Sequence, residues 1–206
     1  MITRSNELLR HTVSERVNHW LTAICFVLLA LSGLAFFHPL FWPLSQLFGG
    51  GVWNRILHPF AGIVLFVLFA YMYGQFYKLN RMTEADWEWL RHIREVAGGS
   101  DRNMPPQGKY NGGQKVLFWA LSGCLILMVF SGIVMWRAYF TFPLTLVRVG
   151  AVVHAATGAV AIALIILHIY AAIWTKGTID AMFRGTVTRG WARQHHEKWY
   201  REMIRP

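Results

Sequence analysis

Four stretches without a charged side chain, Val17 to Asn54, Ile56 to Tyr77, Val116 to Trp136 and Val149 to Thr175, dominate this protein. Each reaches the roughly 20 residues that a helix needs to cross hydrocarbon. Inside lipid every backbone N–H and C=O has to be satisfied within its own segment, so stretches of this kind are committed to helices. The expected fold is all-α: an integral-membrane four-helix bundle forming one membrane domain over residues 1–206. Its spans are expected at about 17–37, 54–77, 114–136 and 149–176, with a tail over 177–206. The first stretch is too long for one span. Pro39, Pro43 and the Gly49, Gly50, Gly51 run break it and leave an apolar segment along the interface. A polar, arginine-containing lead precedes a full-length span without a short apolar core or a small-residue cleavage pattern, so the first span is expected to stay in the mature protein.

Lys plus Arg outnumber Asp plus Glu by 20 to 10, and the position of these charges gives the orientation. Four spans put both termini and the Lys78 to Lys115 loop on one side. Arg4, Arg10, Arg16, seven basic residues in that loop and seven from Lys176 onward share it, leaving Arg55, Arg137 and Arg148 opposite. Basic residues collect on the cytoplasmic face, so both termini are expected there. All ten acidic residues fall on the same side, and no contiguous nucleic-acid face is needed to explain the charge. Cys25 and Cys124 both lie inside apolar runs and no Cys-x-x-Cys-His occurs. A disulfide scaffold, a thiolate zinc site and covalent c-type haem are therefore excluded.

In the middle loop, Thr83-Glu84-Ala85-Asp86 reads as a helix start. Trp87, Trp89, Leu90, Ile93 and Val96 follow at helical spacing, and Gly98-Gly99-Ser100 marks the end of a short amphipathic surface helix. Trp20, Trp53, Trp136 and Trp174 stand near span ends, where indole rings anchor at headgroup level.

Four of the nine histidines, His19, His58, His154 and His168, lie within or at the mouths of spans, where polar groups are costly and face the bundle interior. A single buried imidazole that hydrogen-bonds a neighbouring helix is the ordinary explanation of each. Together they form two layers. Span one leaves the cytoplasm, so His19 is at the inner level; span two returns, so His58 is at the outer level. His154 and His168 share span four, fourteen residues apart, about 21 Å and close to four whole turns. The pairs are His58 with His154 outside and His19 with His168 inside. Small residues follow each histidine by three and four positions: Thr22 and Ala23, Ala61 and Gly62, Thr157 and Gly158, Ala171 and Ala172. They leave room for a macrocycle, though close helix packing selects them too. Zinc wants about four ligands, whereas haem iron takes two axial ones. Two b-type haems, each held by two histidines, are the expected cofactors, carrying single electrons. Arg16 and Arg55 each precede a layer histidine by three residues and are candidates to pair with haem propionates.

An electron wire in a membrane needs a mobile partner, and a quinone is the natural one. His168, Asn111 and Gln114 form a candidate quinone site at the inner level, the two amides supplying hydrogen bonds to its oxygens. Asn111, Gly112 and Gly113 also suit a plain turn and helix cap, and the sequence leaves both readings open.

The protein resembles the cytochrome b, or gamma, subunits of respiratory formate dehydrogenases, most closely the formate dehydrogenase-O type. The residues that carry the resemblance are Arg16-Val17-Asn18-His19-Trp20, Arg55-Ile56-Leu57-His58-Pro59-Phe60, Gly108-Lys109-Tyr110-Asn111-Gly112-Gly113-Gln114-Lys115, His154-Ala155-Ala156-Thr157-Gly158 and Trp191-Ala192-Arg193-Gln194-His195-His196. The resemblance implies two b haems ligated in the pairs above, electrons arriving from an outer iron-sulfur (beta) subunit, and menaquinone or ubiquinone reduced inside. It implies that formate is oxidised on a molybdenum or tungsten (alpha) subunit, that three such three-subunit units associate, and that Gly113 joins the quinone site. The cytochrome b subunit of a membrane-bound hydrogenase is the alternative with the same histidine logic. A transporter or scaffold with structural histidines is the alternative from another class.

Overall fold

A computed structural model describes residues 6–98 and 104–204, which divide into two compact units. Arg4, Gly99, Ser100, Arg102 and Arg205, used above for topology and a helix end, lie outside the described residues. In sequence order the elements are β1 (Glu7–Leu9), α1 (Val13–Phe37), a 3-10 helix (Pro39–Phe48), α2 (Gly51–Phe76), α3 (Glu84–Arg91), α4 (Ile93–Ala97), α5 (Gly112–Met135) and α6 (Leu144–Trp174). The tail adds α7 (Thr178–Arg184), β2 (Thr186–Thr188), α8 (Arg189–His195) and α9 (Glu197–Ile204). Helices α1, α2, α5 and α6 are each long and apolar enough to cross a membrane. They start earlier than the charge-free stretches, and α2 and α6 take in Arg55 and Arg148. The physical reason is that a helix keeps its backbone bonded past the hydrocarbon edge: α6, with 31 residues, is about 46 Å long against about 30 Å of hydrocarbon.

One unit holds residues 17–74 and 121–167. Within it α1 and α2 are joined by polar contacts at heptad spacing. Asn18 Nδ2 donates to the Leu68 carbonyl at 3.1 Å, Cys25 Sγ to the Ala61 carbonyl at 3.3 Å, and Asn54 Nδ2 to the Ser32 carbonyl at 3.1 Å. Each step of seven along α1 is matched by seven backwards along α2, the signature of antiparallel helices meeting on one seam. In lipid such bonds replace the hydrophobic drive that holds helices together in water. Helices α5 and α6 meet through a small residue: a Cβ on Gly150 would lie 3.0 Å from Val134 Cγ1, a tight contact that Val134 would have to yield to. Between α1 and α2, Leu40, Trp42 and Leu47 of the 3-10 helix are exposed. His38 caps that helix, its Nδ1 accepting the Leu40 N–H at 3.2 Å, which gives a structural role to a histidine that the sequence left unassigned.

The other unit holds residues 1–16, 75–120 and 168–206. Here the tail is ordered. β1 pairs antiparallel with β2, Leu8 opposite Val187, and Leu8, Ala181, Val187, Ala192 and Trp199 form a small core. The expected amphipathic helix is two elements: α3 stops at Arg91 and α4 starts at Ile93, with the His92 ring on the Glu88 carbonyl at 3.0 Å. Of its two tryptophans, Trp89 is 9% exposed and packs inward while Trp87 is 55% exposed, because residues two apart point to different faces of a helix.

Candidate functional site

His58 reaches its position on α2 through three local features. Asn54, one turn earlier and 0% exposed, is the residue that ties α2 to the Ser32 carbonyl of α1. Ser32 Oγ lies 2.7 Å from His58 Nδ1, and an added Cβ on Gly33 would stand 3.5 Å from His58 Cε1. The same arrangement recurs on the other helix pair. Ser131 Oγ of α5 lies 3.0 Å from His154 Nδ1 of α6, and an added Cβ on Gly132 would stand 3.4 Å from His154 Cε1. A Ser-Gly pair near the same end of α1 and of α5 thus seats one imidazole each.

The hydroxyl hydrogens decide the tautomers. Ser32 Oγ donates to the Leu29 carbonyl at 3.1 Å, and Ser131 Oγ to the Leu127 carbonyl at 2.6 Å. With its one hydrogen on that carbonyl, each serine oxygen would accept the Nδ1–H of its histidine. That arrangement would leave the lone pair of each imidazole on Nε2, the nitrogen then available to a metal.

The two rings stand edge-on, with centroids 6.2 Å apart and planes at 67°. Two metal–imidazole bonds of about 2.0 Å, plus about 1.1 Å from each ring nitrogen to its centroid, would sum to about 6.2 Å. The spacing and the donor set therefore fit a single iron between them. Among the described residues no three His, Cys, Asp or Glu side groups gather to hold a bare ion, so two axial nitrogens are what these helices offer at this level.

The inner-level residues are distributed between the two units. His19 is half-buried on α1, its ring edge-on to Trp20 at 5.4 Å, and His168 is half-buried on α6. Helix α6 runs unbroken between His154 and His168. Arg16 donates through Nη1 to the Phe183 carbonyl, and its Nε is buried without a hydrogen-bond partner. A buried, unmet guanidinium N–H suits an anionic acceptor such as a propionate. Arg55 is exposed.

At the start of α5, Asn111 and Gln114 form a reciprocal cap. Gln114 N–H donates to Asn111 Oδ1 at 2.9 Å, and Asn111 N–H to Gln114 Oε1 at 3.0 Å. The cap uses both carbonyl oxygens and leaves the two NH2 groups as donors. Gly112 and Gly113 let α3 approach: added Cβ atoms would meet the Asp86 carbonyl at 2.6 Å and the Trp89 ring at 2.9 Å. Lys115 Nζ then reaches Asp86 at 2.7 Å inside this contact. Burial alone would raise the Asp86 pKa, but hydrogen bonds from Lys115 and Thr83 outweigh it and hold the carboxyl below its ordinary value.

The segment leading to Asn111 is held by a buried cation. Arg10, 4% exposed, lies over the Trp191 ring at 4.8 Å and the Trp199 ring at 5.1 Å. Its Nη2 donates to the Lys109 carbonyl at 2.7 Å and to His196 Nε2 at 3.0 Å. His196 Nδ1–H donates to the Gly108 carbonyl at 2.7 Å. Burial, then the neighbouring Arg10 charge, push the His196 pKa down to about 3, so this imidazole is neutral.

Sequence reasoning singled out the histidines and missed Ser32, Ser131 and Asn54. The available signal was a Ser-Gly pair four or five residues before the end of spans one and three, and an asparagine one turn before His58.

Residues 10–185 match the family model described as prokaryotic cytochrome b561. The protein is 41% identical, over 98% of its length and 94% of the relative's, to the nitrate-inducible formate dehydrogenase cytochrome b556(Fdn) subunit of Escherichia coli K12. It is 42% identical to the formate dehydrogenase cytochrome b556(fdo) subunit of the same strain, over 97% of its own length and 95% of the relative's. The formate dehydrogenase cytochrome b556 subunit of Haemophilus influenzae is 36% identical over 98% of this protein and 86% of that one. One percentage point between the two E. coli subunits does not separate the types. Four apolar helices and likeness along nearly the whole length converge: the chain belongs to the prokaryotic cytochrome b561 family, among the cytochrome b subunits of formate dehydrogenases.

Proposed function

We propose that this protein is the membrane-anchoring, di-haem electron carrier of a formate dehydrogenase complex and passes electrons from an outer iron-sulfur subunit to quinone at the cytoplasmic side. The observation that carries the reading is the His58–His154 pair, 6.2 Å apart with each Nδ1 within hydrogen-bond distance of a serine hydroxyl. His58 and His154 hold the outer b haem, and His19 and His168 the inner one, with Arg16 offering its buried Nε to a propionate. When bound, the haems supply one-electron transfer between donor and quinone.

The protein's own part is positional. Helix α6 carries one candidate ligand for each level, His154 and His168. The apolar spans exclude water from the iron ligands, and the NH2 groups of Asn111 and Gln114 present donors to a quinone beside His168 and Gly113. Cytoplasmic water is close to that level and supplies its protons. The distribution of basic residues supports cytoplasmic termini. The relatives' names support partnership with the other formate dehydrogenase subunits, and the family resemblance supports a molybdenum or tungsten subunit outside and a trimer of such units.

The test is a reduced-minus-oxidised spectrum, with haem quantification, of the complex purified with its companion subunits. Two b haems per copy of this subunit are expected, with His58→Ala removing one spectral component and His19→Ala the other. Full two-haem spectra in both variants would refute the pairing.

A further inference from the structure

The two serines stand in the same relation to the two histidines, although they come from different helices and from distant parts of the sequence. Each hydroxyl is back-bonded to its own helix, at 3.1 Å to the Leu29 carbonyl and 2.6 Å to the Leu127 carbonyl. Each lies within hydrogen-bond distance of an imidazole Nδ1, at 2.7 and 3.0 Å. A hydroxyl that donates to a carbonyl is polarised into a better acceptor, so the hydrogen-bond series from carbonyl through hydroxyl to Nδ1–H strengthens along its length. On the α1 side the backbone bearing the serine is itself held, since Asn54 donates to the Ser32 carbonyl at 3.1 Å from one turn before His58. Phe36 closes the same imidazole from one side, edge-on at 5.9 Å.

We propose that Ser32 and Ser131 are positioning residues for the outer haem, fixing both axial histidines as Nδ1–H tautomers and setting that haem's reduction potential. The proposal rests on the assignment of His58 and His154 as its ligands. An imidazole that donates through Nδ1–H is a more basic ligand through Nε2. A more basic ligand favours ferric over ferrous iron and lowers the potential. Two such bonds would act on the same iron, and in the same direction. The protein thereby has a means of tuning its outer haem separately from its inner one, without any charged group in the membrane.

The test uses the whole complex carrying Ser32→Ala, Ser131→Ala, both together, and the hydroxyl-retaining Ser32→Thr and Ser131→Thr. Threonine in a helix keeps the same back-bond to the preceding turn. Redox titration followed optically resolves the two haem components, and haem content is measured beside it. Each alanine variant is expected to keep two haems and raise the midpoint of one component. A tenfold loss of the ferric preference is an upward shift of about 59 mV for a one-electron couple. The other component should stay in place and the threonine variants should return to the parent value. Two retained haems with unmoved midpoints would overturn the proposal. If an alanine variant loses haem, recovery of haem and parent potential by threonine upholds it, and loss in the threonine variant as well overturns it. Failure of the underlying reading has its own signature, a His58→Ala variant that keeps both components.

Discussion

Acidification should loosen the tail before it unfolds the membrane helices, because of His196. This imidazole is 2% exposed and uses both nitrogens, donating to the Gly108 carbonyl and accepting from Arg10. A proton on Nε2 would place two cations about 3 Å apart out of water, with His11 and His195 adding to the repulsion, so its folded pKa is pushed down to about 3. In an opened tail it returns to about 6.5. The folded pKa is depressed, so the opened form binds the proton more readily. The stabilisation is complete above the opened-state value and is lost as pH falls from about 6.5 towards 3. Between pH 7.5 and pH 5.5 the loss is about 1.4 kcal/mol, a tenfold rise in the opened population. Amide hydrogen exchange of residues 187–199 in the intact complex, corrected for intrinsic rate, reads this directly. Asparagine can donate to Gly108 and accept from Arg10 without titrating, so His196→Asn should flatten the pH dependence. An equal slope in that variant would refute the assignment.

Lys115→Ala leaves Asp86 buried without its partner and should cost about 3–5 kcal/mol, read as a lower thermal midpoint of the detergent-purified complex. Replacing both partners by leucine and methionine should recover most of that loss. Asn111→Ala should slow reoxidation of the reduced haems by added quinone analogues while haem content stays at the parent level; a matching fall in haem would make the Asn111–Gln114 cap purely structural. Asn54→Ala removes the bond to the Ser32 carbonyl and should cost about 1 kcal/mol, read as a lower thermal midpoint.

Much of the architecture was legible because the bilayer is a severe solvent. Runs without charge are committed to helices by backbone hydrogen bonding, and this holds whatever their neighbours are. Periodicity along one helix also put His154 and His168 on a common face, since fourteen residues is close to four turns. Loop chemistry was local enough to read in part: Thr83 and Asp86 start α3 as expected, and Asn111 caps α5. The division of the surface helix at His92 was not legible, because Asp86 and Trp89 of α3 are drawn inward by packing while Ile93 at the start of α4 stays exposed.

By itself the sequence determined four spans, their charge asymmetry and the candidate ligand histidines, all consequences of local chemistry against a fixed solvent. Only the tertiary structure decided which hydroxyl meets which imidazole, that α1 and α2 share a seam of polar contacts every seven residues, and that the tail folds around Arg10 and His196. These depend on register between helices and on residues up to 186 positions apart. A helix repeats its polar and small side groups on every face that suits a partner, and nothing in the order of residues says which face is taken. That choice is made by packing, which brings one serine hydroxyl to each imidazole.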